Sequence, residues 1–203
     1  MARLMLMFLA VLPMAAFAAG DPEAGQAKSA ICAACHGVDG NSVVTAWPKI
    51  AGQHSEYIAR QTRMVRDEQR SVPEMYPLVV NLTDQDIDDI AAYFAEQALS
   101  PGVADEALVE LGQQIYQAGN KETGVPACSA CHGPSGNGIL GAQYPVLRAQ
   151  HADYTISRLN RYRDGQANLD DSYSLIMVGV AQHLTDEEIT AVSSYIEGLH
   201  RAR

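Results

Sequence analysis

Large aromatic side chains are scarce in this 203-residue chain, which has three Phe and one Trp. Few bulky residues are therefore at hand to fill a core, and a small domain would gain stability from a large apolar group supplied from outside. Basic residues are in deficit too: 14 Lys and Arg face 24 Asp and Glu, a formal charge of −10. That balance argues against a nucleic-acid partner and suits steering toward a basic protein surface. Strict alternation of apolar and polar residues is missing, so no strand is predicted and the fold class is all-α. Long apolar runs are absent as well, with one exception at the start.

The exception is Leu4 to Phe17, interrupted by Pro13, preceded by Arg3 and followed by the small-x-small triplet Ala16-Phe17-Ala18. This is the pattern of a secretory signal peptide spanning residues 1–18, cut before Ala19. An uncleaved anchor is the alternative, but the run is short for a spanning helix. The mature chain is expected to be soluble and exported. It is long enough for one ordinary domain or two small ones.

Self-similarity favours two. At an offset of 96, Cys32, Cys35, His36, Gly37, Gly40 and Asn41 match Cys128, Cys131, His132, Gly133, Gly136 and Asn137. At 97, Pro48, Gln53, His54 and Tyr57 match Pro145, Gln150, His151 and Tyr154. At 102, Met75, Leu82, Thr83, Ile87, Ile90 and Tyr93 match Met177, Leu184, Thr185, Ile189, Val192 and Tyr195. Offsets that change in steps are what loop insertions produce in a tandem duplication. The first unit is placed at residues 19–99, and the linker with the second unit at 100–203, with breakers Ser100-Pro101-Gly102 at the joint. Thr83 and Thr185 are predicted N-caps of the helices that close each unit, the second with a capping box to Glu188. Further helices are expected near Glu23, over Ser55–Glu68 and Ala152–Gly165, and over Val109–Tyr116. Each unit then has three to four helices.

Two thiols and an imidazole in the run CxxCH could serve three chemistries. Structural zinc wants four ligands, with paired CxxC motifs some 15–20 residues apart, and each motif here stands alone in its own repeat. Disulfide exchange usually sits after a strand in a βαβ context, which this chain lacks. Covalent haem fits the spacing: two thioether bonds anchor the porphyrin edge and the adjacent His becomes an axial ligand. If each unit binds one haem, each should supply a sixth ligand at an equivalent position. The mature chain holds three methionines, Met64, Met75 and Met177, and the last two are equivalent. Met75 and Met177 are therefore the expected ligands, and Met64 is assigned to packing. His54 and His151 form a rival ligand set, with a polar helix start as their alternative role. His183 and His200 lack equivalents and are assigned to the surface. Iron with both axial positions filled by His and Met favours electron transfer over oxygen chemistry, so no enzymatic activity is expected.

The doubled CxxCH, the segments "WPKIAGQH" and "YPVLRAQH", the matched methionines and the "LTDxxI" ends resemble the dihaem cytochrome c4 family. The resemblance covers essentially the whole mature chain. It implies two tandem cytochrome c domains in a pseudo-twofold arrangement, with Gly25 and Gly112 at close approaches near Tyr93 and Tyr195. It also implies that the Pro48 and Pro145 carbonyls accept the Nδ1 proton of the axial histidines. By the same resemblance the chain is a periplasmic carrier between a membrane cytochrome complex and a terminal oxidase, with possible loose attachment to the membrane. The alternative is a dihaem subunit of a periplasmic oxidoreductase, such as a sulfide-oxidising flavocytochrome. The residues around Met75 and Met177 differ, so two distinct haem potentials are expected. A pyridine haemochrome assay on the purified protein should return two covalent haems per chain.

Overall fold

The computed structural model describes residues 20–166 and 171–200; the leader assigned from the sequence lies outside them. The described residues form ten α-helices, two 3-10 turns and two isolated bridges, with no extended strand. No helix among them is long and apolar enough to cross a membrane.

The first unit opens with α1 (Pro22–Lys28), started by Asp21, whose carboxylate accepts from the Glu23 and Ala24 amides ahead of Pro22. There follow α2 (Ala30–His36), α3 (Ser55–Arg66), α4 (Tyr76–Val79) and α5 (Asp84–Glu96). The second unit repeats this order as α6 (Val109–Ala118), α7 (Ser129–His132), α8 (Ala152–Arg163), α9 (Ser172–Ala181) and α10 (Asp186–Gly198). Thr83 and Thr185 cap α5 and α10, both in reciprocal capping boxes, with Asp86 and Glu188 as the returning carboxylates. Each box satisfies two orphan donors at a helix start, about 1 kcal/mol of stability.

Each unit has five helices rather than three or four. The extra ones are α2, α4, α7 and α9. Three of them span seven residues or fewer, too short for helical periodicity to register, and α9 is apolar on every side. The α3 helix stops two residues before its expected end because Glu68 turns left-handed at φ 58°. Its counterpart α8 also stops two residues early, at Arg163.

Two separate cores result. In the first, Ile58 and Ala59 of α3 meet Ile87, Ile90, Ala91 and Phe94 of α5. In the second, Ile115 and Tyr116 of α6 meet Ala181, Leu184, Ile189, Val192 and Ile196. Each fully buried aliphatic side chain contributes at most about 1.5–3 kcal/mol, so neither core is large. The first and last helices of each unit cross in backbone contact. A Cβ at Gly25 would strike the Asp89 carbonyl, one turn before Tyr93. At Gly112 it would strike the Ala191 carbonyl and come within 2.6 Å of the Tyr195 Cβ. The first crossing is further tied by Lys28, whose ammonium bridges Asp86 and Asp89 at 2.7 Å each.

The segment joining the units is pinned along its length. The Asn41 side chain accepts from the Ser100 amide and donates to the Ala98 carbonyl, both at 2.8 Å. Lys49 Nζ donates to the Ser100 carbonyl at 3.0 Å, and the Asp105 amide to Ser194 Oγ at 2.9 Å.

Helix propensity alone would make Gly112→Ala stabilising by about 1 kcal/mol, but collision with a fixed carbonyl costs more. The variant should lose about 2 kcal/mol or more in guanidinium unfolding. Gly179→Ala, in the same kind of helix interior with open space around it, should be neutral or slightly stabilising.

Candidate cofactor sites

The first CxxCH motif lies on α2 and the second runs from the N-cap Cys128 through α7, and both helices end at the histidine. Gly37 and Gly133, at φ 80° and 78°, then turn the chain away in a conformation that favours glycine. In the first unit Tyr93 Oη donates to the Val38 carbonyl at 2.9 Å; in the second Tyr116 Oη donates to the Gly133 carbonyl at 2.7 Å. Tyrosines from non-equivalent helices thus hold the same turn.

Both histidine rings are buried. His36 Nδ1 lies 2.9 Å from the Pro48 carbonyl and His132 Nδ1 lies 3.0 Å from that of Pro145. A carbonyl oxygen can only accept, so Nδ1 carries the proton in both rings and Nε2 keeps its lone pair. Burial holds both imidazoles below the usual histidine range, against the opposing pull of the proline carbonyls; Arg70 adds to the lowering at His36. A buried neutral imidazole with Nδ1 fixed and Nε2 free is the form that binds a metal.

The four cysteines are free and half-buried. Burial pushes the Cys32 and Cys128 thiols up to about 11, the reverse of the depressed values that exchange-active thiols need. Among the described residues no three His, Cys, Asp or Glu side chains gather as a metal site.

One continuous cavity of about 690 Å³ runs between the units and is walled by Cys32, Cys35 and His36 together with Cys128, Cys131 and His132. Met75 and Met177 line it too. So do Arg60 and Arg70, each with a buried Nε that has no hydrogen-bond partner. A large apolar space with unsatisfied guanidinium donors at its wall suits a flat apolar group carrying carboxylates, and haem has two propionates. The residues present fit that group.

The family model for cytochrome c matches residues 23–97 and again 109–200. Cytochrome c4 of Pseudomonas aeruginosa is 48% identical over 91% of this chain and 92% of that protein. A crystal structure of reduced recombinant cytochrome c4 from Pseudomonas stutzeri matches with a TM-score of 0.85 at 45% identity, covering 90% of this chain and 100% of that one. The chain belongs to the cytochrome c4 family. A thiosulfate dehydrogenase electron acceptor of Stutzerimonas stutzeri is also similar, 35% identical over 81% of this chain and 76% of that protein. As a cytochrome c4 the chain is a dihaem electron carrier and not an enzyme, with two covalent haem c groups on Cys32 with Cys35 and Cys128 with Cys131.

The other expected residues fall as follows. Met64 is buried in packing and is not part of the cavity wall. Neither His54 nor His151 lines the cavity. His151 Nε2 instead lies 2.8 Å from the Ser42 carbonyl of the first unit, and its Nδ1 is 3.4 Å from Glu197. His183 and His200 are exposed. Arg60 and Arg70 went unassigned from the sequence because neither has an arginine at its repeat equivalent. Arg60 is held at 2.8 Å by Asp171, the N-cap of α9, and its guanidinium lies 4.6 Å from the Tyr173 ring centre. That ion pair joins α3 of one unit to the Met177 helix of the other. Replacing Cys128 and Cys131 together by alanine should leave one covalent haem per chain, read by haemochrome assay and intact mass.

Proposed function

We propose that this protein is an exported carrier working in the periplasm, with residues 1–18 as its cleaved leader. Residues 19–99 form the first haem domain, and 100–203 the linker and the second. His36 with Met75 and His132 with Met177 are the axial pairs. The observation that carries this assignment is the matched Nδ1–H to proline carbonyl bond in both units, which leaves each Nε2 unprotonated beside a cavity lined by one methionine per unit. Each haem, when bound, supplies a one-electron couple. The chain's own residues do the rest: the cysteines anchor, the prolines fix ring orientation, and the half-buried Arg60 and Arg70 would offset propionate charge.

The two methionines sit differently. Met75 is the residue before the four-residue helix α4, whose second position is Pro77, whereas Met177 is inside α9. Unequal backbone constraint and unequal neighbours support two distinct potentials. The acidic surface supports docking on basic faces of a membrane cytochrome complex as donor and a terminal oxidase as acceptor, with loose membrane attachment as a further possibility.

A second reading, as the electron acceptor of a periplasmic oxidoreductase acting on sulfur compounds, draws support from the 35% likeness to the Stutzerimonas acceptor. Rapid-mixing reduction separates the two. Reduction by a thiosulfate dehydrogenase at rates above those given by a membrane cytochrome donor would favour the second.

Met177→His should lower one haem potential and abolish one sulfur-to-iron charge-transfer band; Met75→His should do the same at the other haem. An unchanged spectrum in either variant would remove that methionine from the ligand set.

A further inference from the structure

The peptide groups that accept from the axial histidines have a second partner, on the far side of the molecule's internal boundary. The Pro48–Lys49 peptide accepts from His36 Nδ1 through its carbonyl, and its N–H donates to Gln150 Oε1 at 2.9 Å. Gln150 Nε2 returns a bond to the Lys49 carbonyl at 2.8 Å. The mirror arrangement is complete. The Pro145–Val146 peptide accepts from His132 Nδ1, and its N–H donates to Gln53 Oε1 at 2.9 Å. Gln53 Nε2 donates to the Val146 carbonyl at 2.9 Å.

Both glutamines are fixed in place. Each Oε1 also accepts, at 3.0 Å, the amide of the following histidine at the start of α3 or α8. Gln53, Lys49 and Val146 are buried. Hydrogen bonds in series polarise one another, more so away from water. A peptide whose N–H is engaged presents a more negative carbonyl oxygen, which draws the Nδ1 proton and makes the imidazole a stronger electron donor.

We propose that Gln53 and Gln150 are positioning residues that act crosswise, each tuning the haem of the opposite unit through a single peptide group. Gln150 acts on the His36 haem and Gln53 on the His132 haem. The crossed glutamine stabilises oxidised iron, so its loss raises the potential of the far haem. The same link makes each iron responsive to any partner that shifts one unit against the other. The proposal rests on the reading of His36 and His132 as axial ligands.

The test uses the intact dihaem protein with Gln150→Met and Gln53→Met, which keep side-chain length and remove the amide. Potentials are followed haem by haem through the shifted ring-proton NMR signals of the two ligand histidines. Gln150→Met should raise the equilibrium constant for reduction of the His36 haem roughly two- to fivefold. The His132 haem should move less, and Gln53→Met should give the opposite pattern. A shift confined to the haem of the mutated unit, an equal shift of both, or no shift would overturn the proposal. If a methionine variant does not fold, Asn at the same position, one methylene short of the peptide, gives the same readout. Absence of shifted histidine signals from the unaltered protein would overturn the ligand reading instead.

Discussion

A carbonyl oxygen cannot give up a proton, and much of this molecule is arranged around two that receive one. With Pro48 or Pro145 accepting at about 3 Å, the imidazole of His36 or His132 is left with one tautomer, one orientation and one free lone pair. The turns at Gly37 and Gly133 end each helix at its histidine, and tyrosine hydroxyls hold those turns closed. Burial of the rings disfavours their charged form. Remove the carbonyl and the same buried ring could swap tautomers, with Nε2 protonated and unable to donate a lone pair to a metal.

The protein around those rings is sparing. Two small, mainly aliphatic clusters, with Phe94 in one and Tyr116 in the other, serve as cores, and a cavity shared by both units separates them. In such a design the cofactor is part of the interior rather than a guest in it. Burying its apolar faces supplies surface that three Phe and one Trp could not. The cost is polar: the carboxylates it carries need partners, and Arg60 and Arg70 stand with unsatisfied nitrogens at the wall.

Much of this was legible because the chain states it twice. Duplication separated Met75 and Met177 from Met64, located the capping threonines, and set the histidines of the two CxxCH motifs in register. The all-α class followed from the lack of alternating strands and the crossing glycines from the family resemblance; Gly25 meets the backbone at Asp89, one turn before Tyr93. What escaped falls into two kinds. Helices of four to seven residues carry too little periodicity to be seen, and α9 is apolar all round, so it has no face to betray it. Contacts between the units escaped for a different reason. Gln53 and Gln150 were matched in the repeat, yet nothing local says that an amide will reach a backbone some 93 or 101 residues away. Arg60 and Asp171 are not repeated at all.

The pinned joint at Ala98–Asp105 changes what those contacts between units must achieve. Two amide pairs, one ion pair, a histidine–carbonyl bond and the Thr45–Asp153 and Arg70–Tyr154 hydrogen bonds would be a poor interface between free molecules, where lost translational and rotational freedom costs several kcal/mol. A short tether with Asn41, Lys49 and Ser194 holding its backbone makes the meeting intramolecular, at an effective concentration in the millimolar range or above. Bonds of about 1 kcal/mol each can then persist. They are also weak enough, one by one, to be exchanged without unfolding either core. A single tethered chain thereby allows a boundary that is held by polar contacts and adjustable, where a dimer of separate chains would have needed a larger and more apolar one.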